Sequence, residues 1–309
     1  MTALGNTVQA VNWHVPGDFA TIQEAIDDVG VMAGDKITVG PGQHAGAIVT
    51  KAIEIKGESG AIINSGPLLT AYKPCETIVL DIGFQFGFVG DPPGSGATIS
   101  QLKFEDVAFP VFSRGADDVT VTQCAMEDPI QGVTNWGGSR WEISHNTITN
   151  LRSANGGGIG ILVADASGGI VSDNIVSHNT ISGMLHVAPC DGGGYDGTGI
   201  VLFADWRYGR AGAFSIDDNH IVKNKISLAS DNPTVVNVHA IELTEHSNPN
   251  PGDIVIMDNA IGFNDLRGTE SQIVLSPSSL DNPVNDISRN LGENRGHGLH
   301  PSVFGAGID

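Results

Sequence analysis

The sequence predicts an all-β chain wound as a solenoid of stacked parallel coils, and three observations predict it. A ten-residue motif recurs: Ser172-Asp-Asn-Ile-Val-Ser-His-Asn-Thr-Ile181, Asp217-Asp-Asn-His-Ile-Val-Lys-Asn-Lys-Ile226 and Met257-Asp-Asn-Ala-Ile-Gly-Phe-Asn-Asp-Leu266. Between the recurrences lie short apolar runs, Ile159 to Val163, Ile200 to Phe203, Val235 to Leu243 and Ile273 to Leu275, each bounded by Gly, Asp, Asn or Pro. The 309 residues include 41 glycines but only 6% aromatics and 16% charged residues, the composition of a turn-rich β protein. Strands this short, without helices or two-residue hairpin signals between them, argue against a doubly wound sheet and against an immunoglobulin-like sandwich. Stacked coils remain.

The first element is an exception. Thr21-Ile-Gln-Glu24 is a capping box, and Ile22, Ala25, Ile26 and Val29 fall on one face at helical spacing, so a short amphipathic helix is expected over about residues 20 to 32. Its expected role is to cover the apolar end of the first coil, since an open solenoid end is an unpaired sheet edge. Coils are expected from 36 to 295, with 1–35 as the cap region, 296–309 as a tail, and the whole chain as one domain. Long loops are expected at 151 to 158, 187 to 198, 205 to 213 and 229 to 234.

Within the coils the equivalent positions Val107, Cys124, Asn146, Asn179, Asn224 and Asn264 are spaced by 17, 22, 33, 45 and 40 residues. The short spacings suit one plain coil, and the long ones a coil with loops or an extra strand. Asn146, Asn179, Asn224 and Asn264 read as a structural column. Like residues one strand spacing apart, about 4.8 Å, can hydrogen-bond one another and nearby backbone that would otherwise be buried unpaired. His145 and His178, one residue earlier, are expected to stack on the outer surface, followed by Lys223 and Phe263. Cys75, Cys124 and Cys190 are odd in number and widely spaced, which predicts free thiols and neither a disulfide framework nor a zinc site.

The run Val15-Pro-Gly-Asp-Phe-Ala-Thr-Ile-Gln-Glu-Ala-Ile26, with Gly34-Asp-Lys-Ile-Thr-Val-Gly-Pro-Gly42 and Lys51-Ala-Ile-Glu-Ile-Lys-Gly57, resembles the opening of right-handed parallel β-helix proteins of the pectin-lyase-like superfamily. The resemblance is close over roughly residues 15 to 57 and looser over the repeats. It implies a single-stranded right-handed parallel β-helix with an N-terminal capping helix, and a polysaccharide or oligosaccharide partner. It does not select an activity, because the superfamily includes pectin methylesterases, pectate lyases, polygalacturonases and alginate epimerases. One departure is visible: Gln43-His44-Ala45 follow Gly-Pro-Gly where relatives often carry a Tyr and then an acid.

Aligning the strands brings Val163-Ala-Asp165, Phe203-Ala-Asp205 and Thr244-Glu245-His246 together, so that Asp165, Asp205 and Glu245 become candidate catalytic carboxylates. Adjacent coils would hold two carboxyls about 5 Å apart, and alternate coils about 10 Å, which brackets the separations glycoside hydrolysis uses. Polygalacturonases, which the resemblance includes, use clustered aspartates. The following loop concentrates Trp206, Arg207, Tyr208 and Arg210 in a chain poor in those types, and with His246 these are the candidate sugar contacts. Aromatic faces stack on sugar rings and Arg clamps carboxylates. Solvated strand ends and an aromatic packed under a loop are the competing readings. Glu242 falls in an outward column with Leu162, Val201 and Val274, which marks a groove or a loop-covered surface. Gly296-His297-Gly298 resembles a family motif but comes too late in the chain, and is read as coincidence.

The charge narrows the classes. With 35 acids against 15 bases the net charge is −20, which excludes a nucleic-acid partner held by phosphate contacts. The same charge repels polyuronates, so a lyase or epimerase ranks behind a hydrolase and behind a non-catalytic glycan-binding or surface-structural β-helix. The characteristic segments of pectin methylesterases are missing. No cofactor or metal site is expected, apart from a weak indication that Asp191 and Asp196 could serve Ca²⁺ in the Gly-rich loop. No apolar stretch reaches the roughly 18 residues of a membrane span. Residues 1 to 15 lack the pattern of a signal peptide, so the expectation is a cytoplasmic protein, or an extracellular or cell-surface one whose leader has been removed. The oligomeric state is left open.

Overall fold

The computed structural model describes residues 9–70, 75, 78–87, 93–154, 158–193, 196–207, 215–247, 253, 255–275, 285–292 and 295–296. Every pairing between named strands is parallel, and the strands fall into three long sheets that run the length of the chain. The first sheet has ten strands, from Asn12–Val15 to Asp286–Ser288; the second has seven, from Gly42–Ala45 to Lys225–Ser230; the third has nine, from Ala47–Val49 to Arg295–Gly296. Each coil visits the sheets in that order, as Glu54–Gly57, Ala61–Ser65 and Ile82–Phe86 show. A short fourth sheet, Ile170–Ser172, Ser215–Asp217 and Ile256–Met257, adds an extra strand to the later coils, and accounts with the loops for their greater length.

The core is a set of columns. On the first sheet Ile55, Ile99, Val121, Ile143, Val176, Ile221 and Ile261 stand in register, all buried. Burying each such side chain stabilises the fold by about 1.5–3 kcal/mol relative to exposure. In the later coils these strands are three residues long because both ends turn sharply. Asp173, Asp218 and Asp258 at one end, and His178, Lys223 and Phe263 at the other, have left-handed φ of 52–60°. Each is followed by a ladder asparagine.

The predicted ladder is in place. Asn179 Oδ1 accepts from Asn146 N and Nδ2, both at 3.0 Å, while Asn179 Nδ2 donates to Ile143 O at 2.8 Å. Asn224, Asn264 and Asn290 continue it. A second ladder, which the first did not announce, runs through Asn174, Asn219, Asn259 and Asn285 at the opposite end of the same strands. Its signal was the Asp-Asn pair that opens each repeat. On the outer surface the His145 and His178 rings stack at 4.9 Å and 1° between planes.

The cap helix is Ile22–Asp27, shorter than expected. Glu24 N donates to Thr21 Oγ1, and Glu24 Oε2 accepts in return from Ala20 N, one residue before the cap. The helix stops because Asp28 takes an extended conformation and its carboxylate accepts from Gly30 N. Val29 is consequently turned to solvent, and Val31 takes its place in the core. Ile22, Ala25 and Ile26 face the strands Asn12–Val15, Lys36–Val39 and Ala47–Val49.

The cysteines correct the sequence reading. Cys75 and Cys190 form a disulfide, with Cα atoms 5.7 Å apart, and Cys124 alone is free and buried. Burial pushes the Cys124 thiol up to about 12. The bonded pair lies in two excursions from the third sheet, one preceding Ile82–Phe86 and one preceding Gly197–Asp205, four strands apart in sheet order. An excursion that crosses several coils brings together cysteines that coil spacing alone keeps apart.

Candidate functional site

The third sheet differs from the first in what its outer face carries. Its outward residues Phe109, Phe112, Thr134, Leu162, Val201, Phe203, Glu242 and Thr244 are all buried. With Leu69 and Leu80 of the Cys75 excursion, the apolar ones form a second hydrophobic cluster outside the coil. Glu242 pairs in register with Val201 and Val274, and Val201 with Leu162, so its expected column and its expected cover both hold. Thr198 Oγ1 donates to Glu242 Oε2 at 2.8 Å.

The two longest strands, Gly197–Asp205 and Val238–His246, lie side by side on this sheet and end in the candidate residues. Asp205 is opposite His246, while Ala204 is opposite both Asp165 and Glu245. Asp165 and Glu245 therefore share a column two coils apart, and Asp205 falls one residue off it, on the alternate side of its strand. The expected alignment of the three acids is displaced by this one residue. Register follows the core alternation, which sets Ile161 against Ile200, rather than the likeness of the two Ala-Asp pairs.

Each acid has its own setting. Asp165 is buried and caps its own turn: Ser167 N and Oγ donate to Oδ1 at 2.8 and 2.7 Å, and Gly169 N donates to Oδ2. Asp205 is also buried, and Arg207 grips both its oxygens, with Nε 2.9 Å from Oδ1 and Nη2 2.5 Å from Oδ2. Such a forked pair survives burial because both charges are met with matched geometry. Glu245 and His246 are half-buried at the strand end. Burial and the Arg207 charge hold the His246 imidazole below its ordinary value, against a smaller pull from Asp205. Trp206 packs partly against the core, and its backbone N–H donates to His246 O at 3.0 Å. Tyr208, Arg210 and His297 lie outside the described residues.

A family description, right-handed β-helix region, matches residues 92–300. The chain belongs to the right-handed β-helix family. Among solved structures, this β-helix is similar to the catalytic domain of a GH87 α-1,3-glucanase in complex with tetrasaccharides, at 13% identity and a TM-score of 0.35. That likeness covers 90% of this chain and 65% of the glucanase domain, so the β-helix spans less than two thirds of that protein's length. It is also similar to a pectin methylesterase in complex with hexasaccharide VII, at 12% identity, a TM-score of 0.26, and 87% and 77% coverage of the two chains. For pectin methylesterase PemA from Erwinia chrysanthemi the TM-score is 0.19, with the same identity and coverage. Likeness at this level assigns no activity. A comparison with curated proteins finds no match.

Sequence reasoning missed a second polar group on the same two strands of the β-helix. His239 Nε2 meets Asp196 Oδ2 at 3.0 Å, and Asn237 N and Nδ2 donate to Asp196 Oδ1 at 3.3 Å. Burial raises the Asp196 carboxyl, but the bonds from His239 and Asn237 outweigh it and hold the group below the ordinary carboxylate range. Asp196, read from sequence as a weak Ca²⁺ contact, is thus turned to an imidazole. Among the described residues no group of three or more His, Cys, Asp or Glu is placed to hold a metal, and no helix is long and apolar enough to cross a membrane. The signal that could have found this group was Glu242: an acid in an apolar column invites inspection of the column beside it, where Thr198 and His239 stand in register.

Proposed function

We propose that this β-helix is a carbohydrate-active protein that holds an extended glycan at the ends of Gly197–Asp205 and Val238–His246, and hydrolyses a glycosidic bond there. The observation that carries the proposal is the gathering of half-buried His246 and Arg207 at buried Asp205, with half-buried Glu245 and Trp206 at the same two strand ends, at the margin of the loop-covered face. An indole beside planar charged groups is the chemistry that grips a sugar ring and its hydroxyls.

Asp165 and Glu245 stand on one side of the sheet two coils apart, about 10 Å at the backbone, close to the separation over which two carboxyls divide this reaction, whereas Asp205 faces the alternate side. Glu245 is the preferred proton donor to the leaving oxygen, because it is half-buried and within reach of a ligand, whereas Asp165 and Asp205 are buried. Water attacks the opposite face of the sugar, and the second carboxylate takes its proton. The hydrogen bonds that already occupy Asp165 and Asp205 favour a second reading, in which the site binds glycan without cutting it.

A panel of glycans, read for new reducing ends and for ultraviolet absorbance of unsaturated products, separates the readings. Hydrolysis gives reducing ends alone, and the Glu245→Gln variant should lose them by at least about 100-fold while still binding the glycan. Unsaturated products would show a lyase, and binding without product would leave the module reading. Absence of binding to every member would overturn the proposal.

A further inference from the structure

The group around His239 stands apart from the strand-end site and lies beside a pocket of its own. The pocket has a volume of about 370 Å³, and its walls include His239, Ser271 and Asn237 together with apolar Leu228, Pro233 and Val238. His239 is 9% exposed, and its Nδ1, shut off from solvent, has no hydrogen-bond partner. Ser271 is the register partner of His239 on the next coil, one strand spacing of about 4.8 Å away, and is half-buried.

We propose that Asp196, His239 and Ser271 form an ester-hydrolysing site that takes an uncharged ester with a small apolar acyl group. The roles follow from the contacts. Asp196 fixes the imidazole by accepting from Nε2–H, which leaves Nδ1 as the proton acceptor. Nδ1 is the ring nitrogen that Asp196 does not engage, and Ser271 is the neighbour of His239 in the same outward column on the next coil. Nucleophile, base and orienting acid are the three parts of the serine-hydrolase arrangement, which is recognised by geometry and role rather than by fold. The bond between nucleophile and base is often long before substrate arrives.

In the reaction, Ser271 Oγ attacks the acyl carbon as its proton passes to His239 Nδ1. The tetrahedral adduct collapses, the bond to the alkoxy oxygen breaks, and the alcohol leaves with the proton from Nδ1. Water then attacks the acyl-serine and gives a proton to Nδ1. Ser271 Oγ recovers that proton as the carboxylic acid departs. The net change is ester plus water to acid plus alcohol. The apolar wall formed by Leu228, Pro233 and Val238 suits the acyl chain, while exposed Glu270 at the pocket disfavours an anionic one.

The test uses the intact chain with two probes, a fluorophosphonate and p-nitrophenyl acetate, neither of which contains sugar, so its outcome is independent of the glycan reading. The fluorophosphonate should label Ser271, located by peptide mass mapping. Ser271→Ala should lose the label and at least about 100-fold of ester hydrolysis, with unchanged thermal unfolding. His239→Gln should lose both to a similar extent, and Asp196→Asn should lower the rate while Ser271 stays in place. A folded wild-type protein that leaves Ser271 unlabelled, or a Ser271→Ala variant that hydrolyses the ester at the wild-type rate, would overturn the proposal.

Discussion

The first and third sheets of the same coils are built to opposite rules. On the first, from Thr98–Ser100 onward, strands are three residues long with one apolar side chain pointing inward, and in the later coils an asparagine ladder closes each end. Ile175, on its outer side, is 44% exposed. On the third, strands reach nine residues, the outer face is buried under excursions joined by a disulfide, and the polar side chains upon it follow no repeat. Where each coil copies the last, side chains serve the stack. Where the copying stops, acids, an imidazole and a guanidinium collect at neighbouring positions, and it is there that ligand chemistry is proposed.

The largest effect expected from breaking this contrast lies on the ladder side. Asn224 accepts from Asn179 N and Nδ2, and donates to Val176 O and Asn264 Oδ1. Asn224→Ala would strand several buried groups at once, at a cost on the order of 4 kcal/mol, read as a lowered midpoint in urea unfolding. A smaller loss is expected on the third-sheet side. Cys190→Ser removes a link across 115 residues of sequence and should cost about 2 kcal/mol. Hydrogen exchange should rise in the excursions before Ile82–Phe86 and Gly197–Asp205, and stay unchanged in the ladder strands. Equal loosening of both sheets would erase the distinction.

The smallest effect is a pH dependence. The folded value of His246 lies below the ordinary 6.5, so the neutral form is favoured by folding. Its contribution is complete above pH 6.5 and is lost as pH falls through the lower folded value. Arg207→Met removes one of the two causes and should move the His246 titration upward, measured by NMR. A downward movement would contradict the assigned cause.

The ladder was legible because Asn179, Asn224 and Asn264 recur in an unchanging frame, and hydrogen bonding between like residues gives that frame a reason. Glu242 was legible for the converse reason, as an acid in an apolar column. The pairing of Cys75 with Cys190 was not, since an excursion that crosses coils leaves no trace in coil spacing. Asp165 and Asp205 were aligned on a shared Ala-Asp pair, whereas the core sets Ile161 against Ile200 and leaves the two acids one residue apart. His239, Asp196 and Ser271 come from three separate segments, and beyond the pointer that Glu242 gives to its neighbouring column, what joins them is the register.

The most direct test of the division of labour is hydrogen–deuterium exchange across the whole chain, with and without a mixed library of neutral and acidic oligosaccharides. The account predicts new protection in peptides covering 197–207 and 238–247, with the ladder strands Ile175–Ser177, His220–Val222 and Ala260–Gly262 unchanged. Protection confined to those ladder strands would contradict it.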